Sequence, residues 1–148
     1  MSVLEVVEKF VSINGEGAKA GQLAVFIRFK GCNLNCKYCD TKWANEADAT
    51  AQQMTKEDII NYVLSTGVKN VTLTGGEPLL REGIEEVIKG LADNNLNVEI
   101  ETNGSISLDN IRGLHKDNVT FTMDYKLSCS GMEQAMRLDN FSILNAND

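Results

Sequence analysis

The sequence predicts an α/β protein built on a parallel sheet, and three observations carry that prediction. Strand-like apolar runs alternate with stretches whose apolar residues recur at helical spacing. One proline stands against 12 glycines, with 43% hydrophobic and 24% charged residues, a composition that excludes disordered, collagen-like and coiled-coil chains. The chemically unusual residues fall just after the strands, where parallel sheets gather their sites. At 148 residues a single domain, 1–148, is expected, large enough to bury a core without disulfides.

Taken in order, the amino-terminal MSVLEVVEKF alternates acidic and apolar residues, unlike a signal peptide. Leu23–Phe29 (LAVFIRF) is rich in branched and aromatic residues, is interrupted by Arg28 and ends at Lys30-Gly31; it reads as the first parallel strand. Residues 43–53 (WANEADATAQQ) are polar and Ala-rich and read as loop. Thr55 and Asp58 stand three apart before Ile59, Ile60, Val63 and Leu64, and Gly67 follows, which gives an N-cap, an apolar helix face and a C-cap. Residues 71–74 form a short strand. Ile84, Val87, Ile88 and Leu91 then recur at i, i+3, i+4 and i+7 and form a second helix. Strands are expected at 98–102 and 119–124 with a weak helix at 107–114 between them, then a further helix at 132–138 and a fifth strand beginning at 141–144.

A net charge of −7 and a pI near 4.7 argue against a broad phosphate-binding surface, so small molecules rather than nucleic acid are the expected partners. No apolar run approaches the roughly 18 residues of a membrane span, and a cytoplasmic location is expected. Four cysteines in such a compartment are poor candidates for disulfides. Three of them, Cys32, Cys36 and Cys39, lie within eight residues.

Four strand ends carry GCNLNCKYCDT, TGGEP, ETNG and DYKLSCSG, segments that right-handed crossovers bring to one mouth. The C-x3-C-x2-C spacing puts three thiolates on one loop, enough for three irons of a cubic cluster whose fourth iron stays open to an exogenous ligand. Zinc is the competing reading, but a structural zinc site wants four closed ligands, and Cys129 and His115 are distant in sequence. Three free core cysteines are the third reading. In Gly75-Gly76-Glu77-Pro78 the glycines allow close backbone approach and Glu77 can accept from an ammonium group; an ordinary βα turn would use the same residues.

The cysteine triad with Tyr38 before its third member, followed by Gly75-Gly76-Glu77-Pro78, resembles the radical S-adenosylmethionine (SAM) enzymes. Within them Ser12-Ile13-Asn14-Gly15-Glu16-Gly17, Phe26-Ile27-Arg28, Cys39-Asp40-Thr41 and Glu101-Thr102-Asn103-Gly104 resemble the 7-carboxy-7-deazaguanine synthases of queuosine biosynthesis. That resemblance implies a partial (β/α) barrel, and a ring contraction of 6-carboxy-5,6,7,8-tetrahydropterin to 7-carboxy-7-deazaguanine with loss of ammonia. It implies a 4Fe-4S cluster on Cys32, Cys36 and Cys39, SAM held by Tyr38, Cys39, Asp40, Gly76, Glu77, Lys126 and Ser128, and Mg2+ on Thr41. The pterin would meet Ile13, Asn14, Gly15, Arg28 and Thr74, with Arg28 forking onto its carboxylate. A flavodoxin- or ferredoxin-type reductant would supply the electron.

Two departures from the family stand out. Asn14 occupies a position where many members carry Gln, and this chain stops at Asp148 where members continue through further strand and helix units. An apolar fifth strand at an uncovered edge would promote self-association, such as a homodimer, or marginal stability, with SAM cleaved but the pterin turned over poorly. Trp43 and Met54 are expected to pack near the cluster loop or core, His115 to be exposed, Cys129 to be structural and Glu85-Glu86 to form a solvated face. The rival readings are a glycyl-radical-enzyme activase of the same superfamily and a non-catalytic iron-sulfur or zinc binding protein.

Overall fold

The computed structural model describes residues 2–148. Six strands, β1 (Val3–Ile13), β2 (Leu23–Phe29), β3 (Gln52–Thr55), β4 (Asn70–Gly75), β5 (Asn97–Thr102) and β6 (Val119–Met123), form one sheet in the order β3-β1-β2-β4-β5-β6. The run β2-β4-β5-β6 is parallel, as expected. Its crossovers contain α2 (Lys56–Thr66), α3 (Ile84–Asp93) and the short α4 (Asp109–Arg112), with α1 (Lys42–Asn45) following the cysteine loop. The whole is an open, partial-barrel sheet with α2, α3 and α4 packed on one face.

Helix α2 begins as its sequence dictates: the Thr55 side chain accepts from the Asp58 N–H, the Asp58 carboxylate accepts from the Thr55 N–H, and Gly67 closes the helix in the left-handed region at φ 72°. On α3 the four periodic apolar residues Ile84, Val87, Ile88 and Leu91 are all buried. Each contributes about 1.5–3 kcal/mol relative to exposure. They meet the sheet on alternate strand residues, Val25, Ile27 and Phe29 of β2, Val71 and Leu73 of β4, Val98 and Ile100 of β5, and Val119 and Phe121 of β6, which share one core.

The structure corrects the expected outline at both ends. The amino-terminal segment is the longest strand, and β1 pairs antiparallel with β2 and with β3, which lies partly in the stretch read as loop. Its pattern is hidden by a bulge: Val6 faces Phe29 and Glu8 faces Arg28, so one extra residue on β1 turns Glu8 to the opposite face from Val6. The fifth strand does not form. Residues 138–142 make a 3-10 turn, and 133–135 another where a helix was expected. The cause is Asn140, fully buried, whose side chain accepts from the Leu108 N–H and donates to the carbonyls of Gly104 and Ile106. It pins residues 138–142 to the β5–α4 loop, and the chain meets the β6 edge further on, where the Asp148 carboxylate accepts from the Phe121 N–H.

Candidate active site

The four strand-end segments meet at a cavity of about 520 Å³. Residues 23–29 show why it is polar on one side: Val25, Ile27 and Phe29 turn to the helices, while Phe26 and Arg28 line the cavity. Parallel register continues that face across the sheet, setting Arg28 beside Thr74 and Phe26 beside Thr72, then Thr72 beside Glu99, then Glu101 beside Thr122.

Cys32, Cys36 and Cys39 all line the cavity, as do Tyr38, Asp40, Thr41, Gly76 and Lys126 of the expected cofactor set and Asn14, Gly15, Arg28 and Thr74 of the expected substrate set. Three expected residues lie outside it. Ile13 points to solvent, 60% exposed, and Ser128 is exposed. Glu77 is 0% exposed and sits behind the wall. Its carboxylate accepts from the Leu79 N–H (3.0 Å), the Thr102 hydroxyl (3.0 Å) and the Asn103 N–H (2.7 Å), which ties the GGEP turn to the ETNG turn. Burial pushes its carboxyl pKa up, and these donors pull it back. The side chain envisaged as an ammonium acceptor is therefore already engaged within the protein, and Gly76 is the residue of the turn that reaches the cavity.

A Cβ on Gly76 would meet Gly31 O and Asn45 Oδ1, both at 2.3 Å, and one on Gly75 would meet Phe29 O at 2.3 Å. These glycines thus let the GGEP turn pack against the start of the cysteine loop, whose Gly31 carbonyl accepts from the Glu77 N–H.

Arg28 is held by Glu8 across the β1–β2 pair at 2.9 Å, not by a residue of the parallel strands. Asn14 is 1% exposed; its amide donates to Glu99 and Thr72, and its Oδ1 accepts from the Glu16 N–H. The shorter side chain is thus spent on the sheet below the cavity. Thr72 and Thr122 also donate to Glu99.

Lys126 pairs with Asp124 at 2.5 Å; burial lowers its pKa, but the hydrogen bond and charge of Asp124, with Cys36, outweigh this and raise it. Burial raises the Cys36 thiol, against the pull of Lys126. Thr41 stands at the N-terminus of α1 without capping it, its hydroxyl 3.7 Å from Cys39 Sγ.

Glu101 lines the cavity and was assigned no role from the sequence. Burial raises its carboxyl pKa, the Thr74 hydroxyl lowers it, the charges of Glu16 and Glu99 raise it and Arg28 lowers it. The signal was present in the alternation of Val98, Glu99, Ile100 and Glu101: two carboxylates on the face opposite two core residues. Asn45, too, lines the cavity unforeseen, and Trp43 is 47% exposed rather than packed, whereas Met54 is in the core. His115 and Cys129 are exposed, the latter beside Ser130, whose carbonyl accepts from the Lys37 N–H.

Residues 26–125 match the family model described as the radical SAM superfamily. The chain belongs to the radical SAM superfamily. A protein of Clostridium acetobutylicum named 7-carboxy-7-deazaguanine synthase is 62% identical over 97% of this chain and 65% of its own length. One of the same name from Thermoplasma acidophilum is 32% identical over 97% of this chain and 66% of its own. The chain thus spans about two thirds of the length of these relatives. The crystal structure of QueE from Escherichia coli superposes with a TM-score of 0.75 at 25% identity, over 97% of this chain and 68% of that one.

The superfamily implies a 4Fe-4S cluster and SAM, and the cavity fits both. Three thiols of one loop open onto it, as three separate irons of a cubic cluster require. Among the described residues no three His, Cys, Asp or Glu side chains converge on one metal ion, and ligands to three different irons need no common focus. Asn45 Oδ1, buried without a hydrogen-bond partner, lies against Gly76 at the rim of the same loop. Among the described residues no helix is long and apolar enough to cross a membrane.

Proposed function

We propose that this chain carries the catalytic core of a 7-carboxy-7-deazaguanine synthase, contracting the ring of 6-carboxy-5,6,7,8-tetrahydropterin to 7-carboxy-7-deazaguanine with loss of ammonia in queuosine biosynthesis. The observation that carries this reading is one cavity lined by the three cysteines of the loop and by the Arg28 guanidinium; the names of the relatives support it. When bound, the cluster and SAM would supply the radical chemistry that activates the substrate. Since only ammonia leaves, substrate and product are at the same oxidation level, and the ring contraction needs no net oxidant or reductant.

In this reading Cys32, Cys36 and Cys39 hold the cluster, and Tyr38, Asp40, Gly76 and Lys126 surround SAM. Arg28, already oriented by Glu8, keeps donors for the pterin carboxylate. Thr74 and Glu101 stand beside it across β4 and β5. A carboxyl with a raised pKa is suited to hold the proton that accompanies ammonia loss. The Thr41 hydroxyl contributes to a Mg2+ ion shared with substrate oxygens and waters, so Thr41→Val weakens the response of turnover to Mg2+. A flavodoxin- or ferredoxin-type carrier of the cytoplasm delivers the electron. Exposed Leu127, Leu138 and Phe141 favour self-association to a homodimer, which light scattering reads as twice the chain mass.

The test is an anaerobic incubation of the reconstituted protein with SAM, dithionite and the carboxytetrahydropterin, followed by mass spectrometry. The expected result is 7-carboxy-7-deazaguanine and ammonia in equal amounts. Formation of 5′-deoxyadenosine with no deazapurine, or radical installation on a glycyl-radical enzyme instead, overturns the assignment.

A further inference from the structure

The sulfurs of the cysteine loop are served by donors both within it and beyond it. Cys32 Sγ accepts from the Leu34 N–H at 3.4 Å and from Asn103 Nδ2 at 3.6 Å. Cys39 Sγ lies 3.9 Å from Asn45 Nδ2, which donates to it, and 3.7 Å from the Thr41 hydroxyl. Cys36 differs: it is buried, and the nearby charge that favours its thiolate is Lys126. Two of the donors are side-chain amides on other elements, Asn103 after β5 and Asn45 at the end of α1.

Asn103 is 6% exposed and held on every side. Its backbone N–H is anchored by Glu77 at 2.7 Å, and its Oδ1 accepts from both the N–H (2.9 Å) and the hydroxyl (2.6 Å) of Ser105. Those two donors fix which end of the amide is oxygen. The remaining group, Nδ2, is shared between Cys32 Sγ and Asn33 Oδ1 at 3.1 Å. On Asn45 the oxygen is buried against Gly76 and the nitrogen is turned to Cys39; the opposite orientation would set a carbonyl oxygen against a thiolate.

We propose that Asn103 and Asn45 tune the reduction potential of the cluster by donating to the sulfurs of Cys32 and Cys39. The physical reason is that an added electron increases the negative charge on the cluster sulfurs, so an N–H aimed at them stabilises the reduced state more than the oxidised one. Glu77 reaches the cluster through the same path, because it holds Asn103 in place. The inference rests on the reading that the three cysteines bind the cluster.

The experiment is a spectroelectrochemical titration of the anaerobically reconstituted full chain, with iron counted in parallel, for wild type, Asn103→Leu, Asn103→Asp and Asn45→Leu. Iron content stays at the wild-type level. Loss of the donor makes the one-electron reduction constant of Asn103→Leu fall about tenfold, a drop of about 59 mV. Asn103→Asp keeps the shape but replaces the donor with a negative oxygen, and its potential falls further. Asn45→Leu shows a smaller drop, since its contact is longer. Full iron content with wild-type potential in all three variants overturns the proposal, as does loss of iron in all three, which would make the residues structural. A wild-type chain that takes up no iron overturns the cluster reading beneath it, and that count tells the two failures apart.

Discussion

The two faces of the parallel sheet differ although the same strands build both. On the helix side Val71, Leu73, Val98, Ile100, Val119 and Phe121 are buried in one apolar core. On the cavity side their immediate neighbours are Thr72, Thr74, Glu99, Glu101 and Thr122, joined by Arg28 from β2. Adjacent residues such as Ile100 and Glu101 are 0% exposed in the core and a cavity-lining carboxyl, respectively. Stability and chemistry are thereby assigned to alternate positions of one backbone, so the chemical face can carry buried polar groups that a core could not hold.

Substitutions that touch one face and not the other test this division. The largest effect belongs to the cavity: Cys36→Ala should abolish iron uptake and with it all SAM cleavage, while circular dichroism stays that of the wild type. Next is the core, where Ile100→Ala should cost about 2–5 kcal/mol in a denaturant titration and leave the iron content of the folded fraction unchanged. A loss of cluster in that variant would mean that the faces are not separable. Arg28→Lys keeps the charge but loses the planar fork, and turnover of the pterin should fall about tenfold to a hundredfold, with uncoupled SAM cleavage retained.

Glu101→Gln should move the two properties in opposite directions. Burial raises the Glu101 carboxyl above its ordinary value of 4.5, so the folded state keeps a proton that the unfolded chain has lost, and stability falls as pH rises from 4.5 through the higher folded value. The amide never ionises. The variant should therefore melt above the wild type at pH 7, the gap closing by about pH 4, while turnover drops; equal melting temperatures at both pH values would count against the buried carboxyl. The smallest effect lies on the helix layer: Thr55→Ala removes the N-cap of α2 and should cost about 1 kcal/mol, with turnover per folded molecule unchanged.

Much of this molecule is legible in the chain itself, and for local reasons. The capping box of Thr55 and Asp58, the periodic face of α3 and the apolar runs of β2, β4, β5 and β6 depend on residues within a few positions of one another. The cysteine loop and the GGEP turn are likewise local, and parallel crossovers leave only one end of the sheet where such segments can meet. What long-range contacts decide was not readable in this way. The bulge that turns Glu8 toward Arg28 depends on which strand pairs with β1. Asn140 draws residues 138–142 away from the sheet because its amide matches Leu108, Gly104 and Ile106, more than thirty residues earlier in sequence. Glu77 looks like a ligand in the sequence and is a strut in the structure, because Thr102 and Asn103 arrive from the next strand to satisfy it. A motif shows which side chains are brought near a site, but the direction in which each one spends its hydrogen bonds is set by neighbours remote in sequence, and a buried polar group must spend them on whichever partners folding supplies.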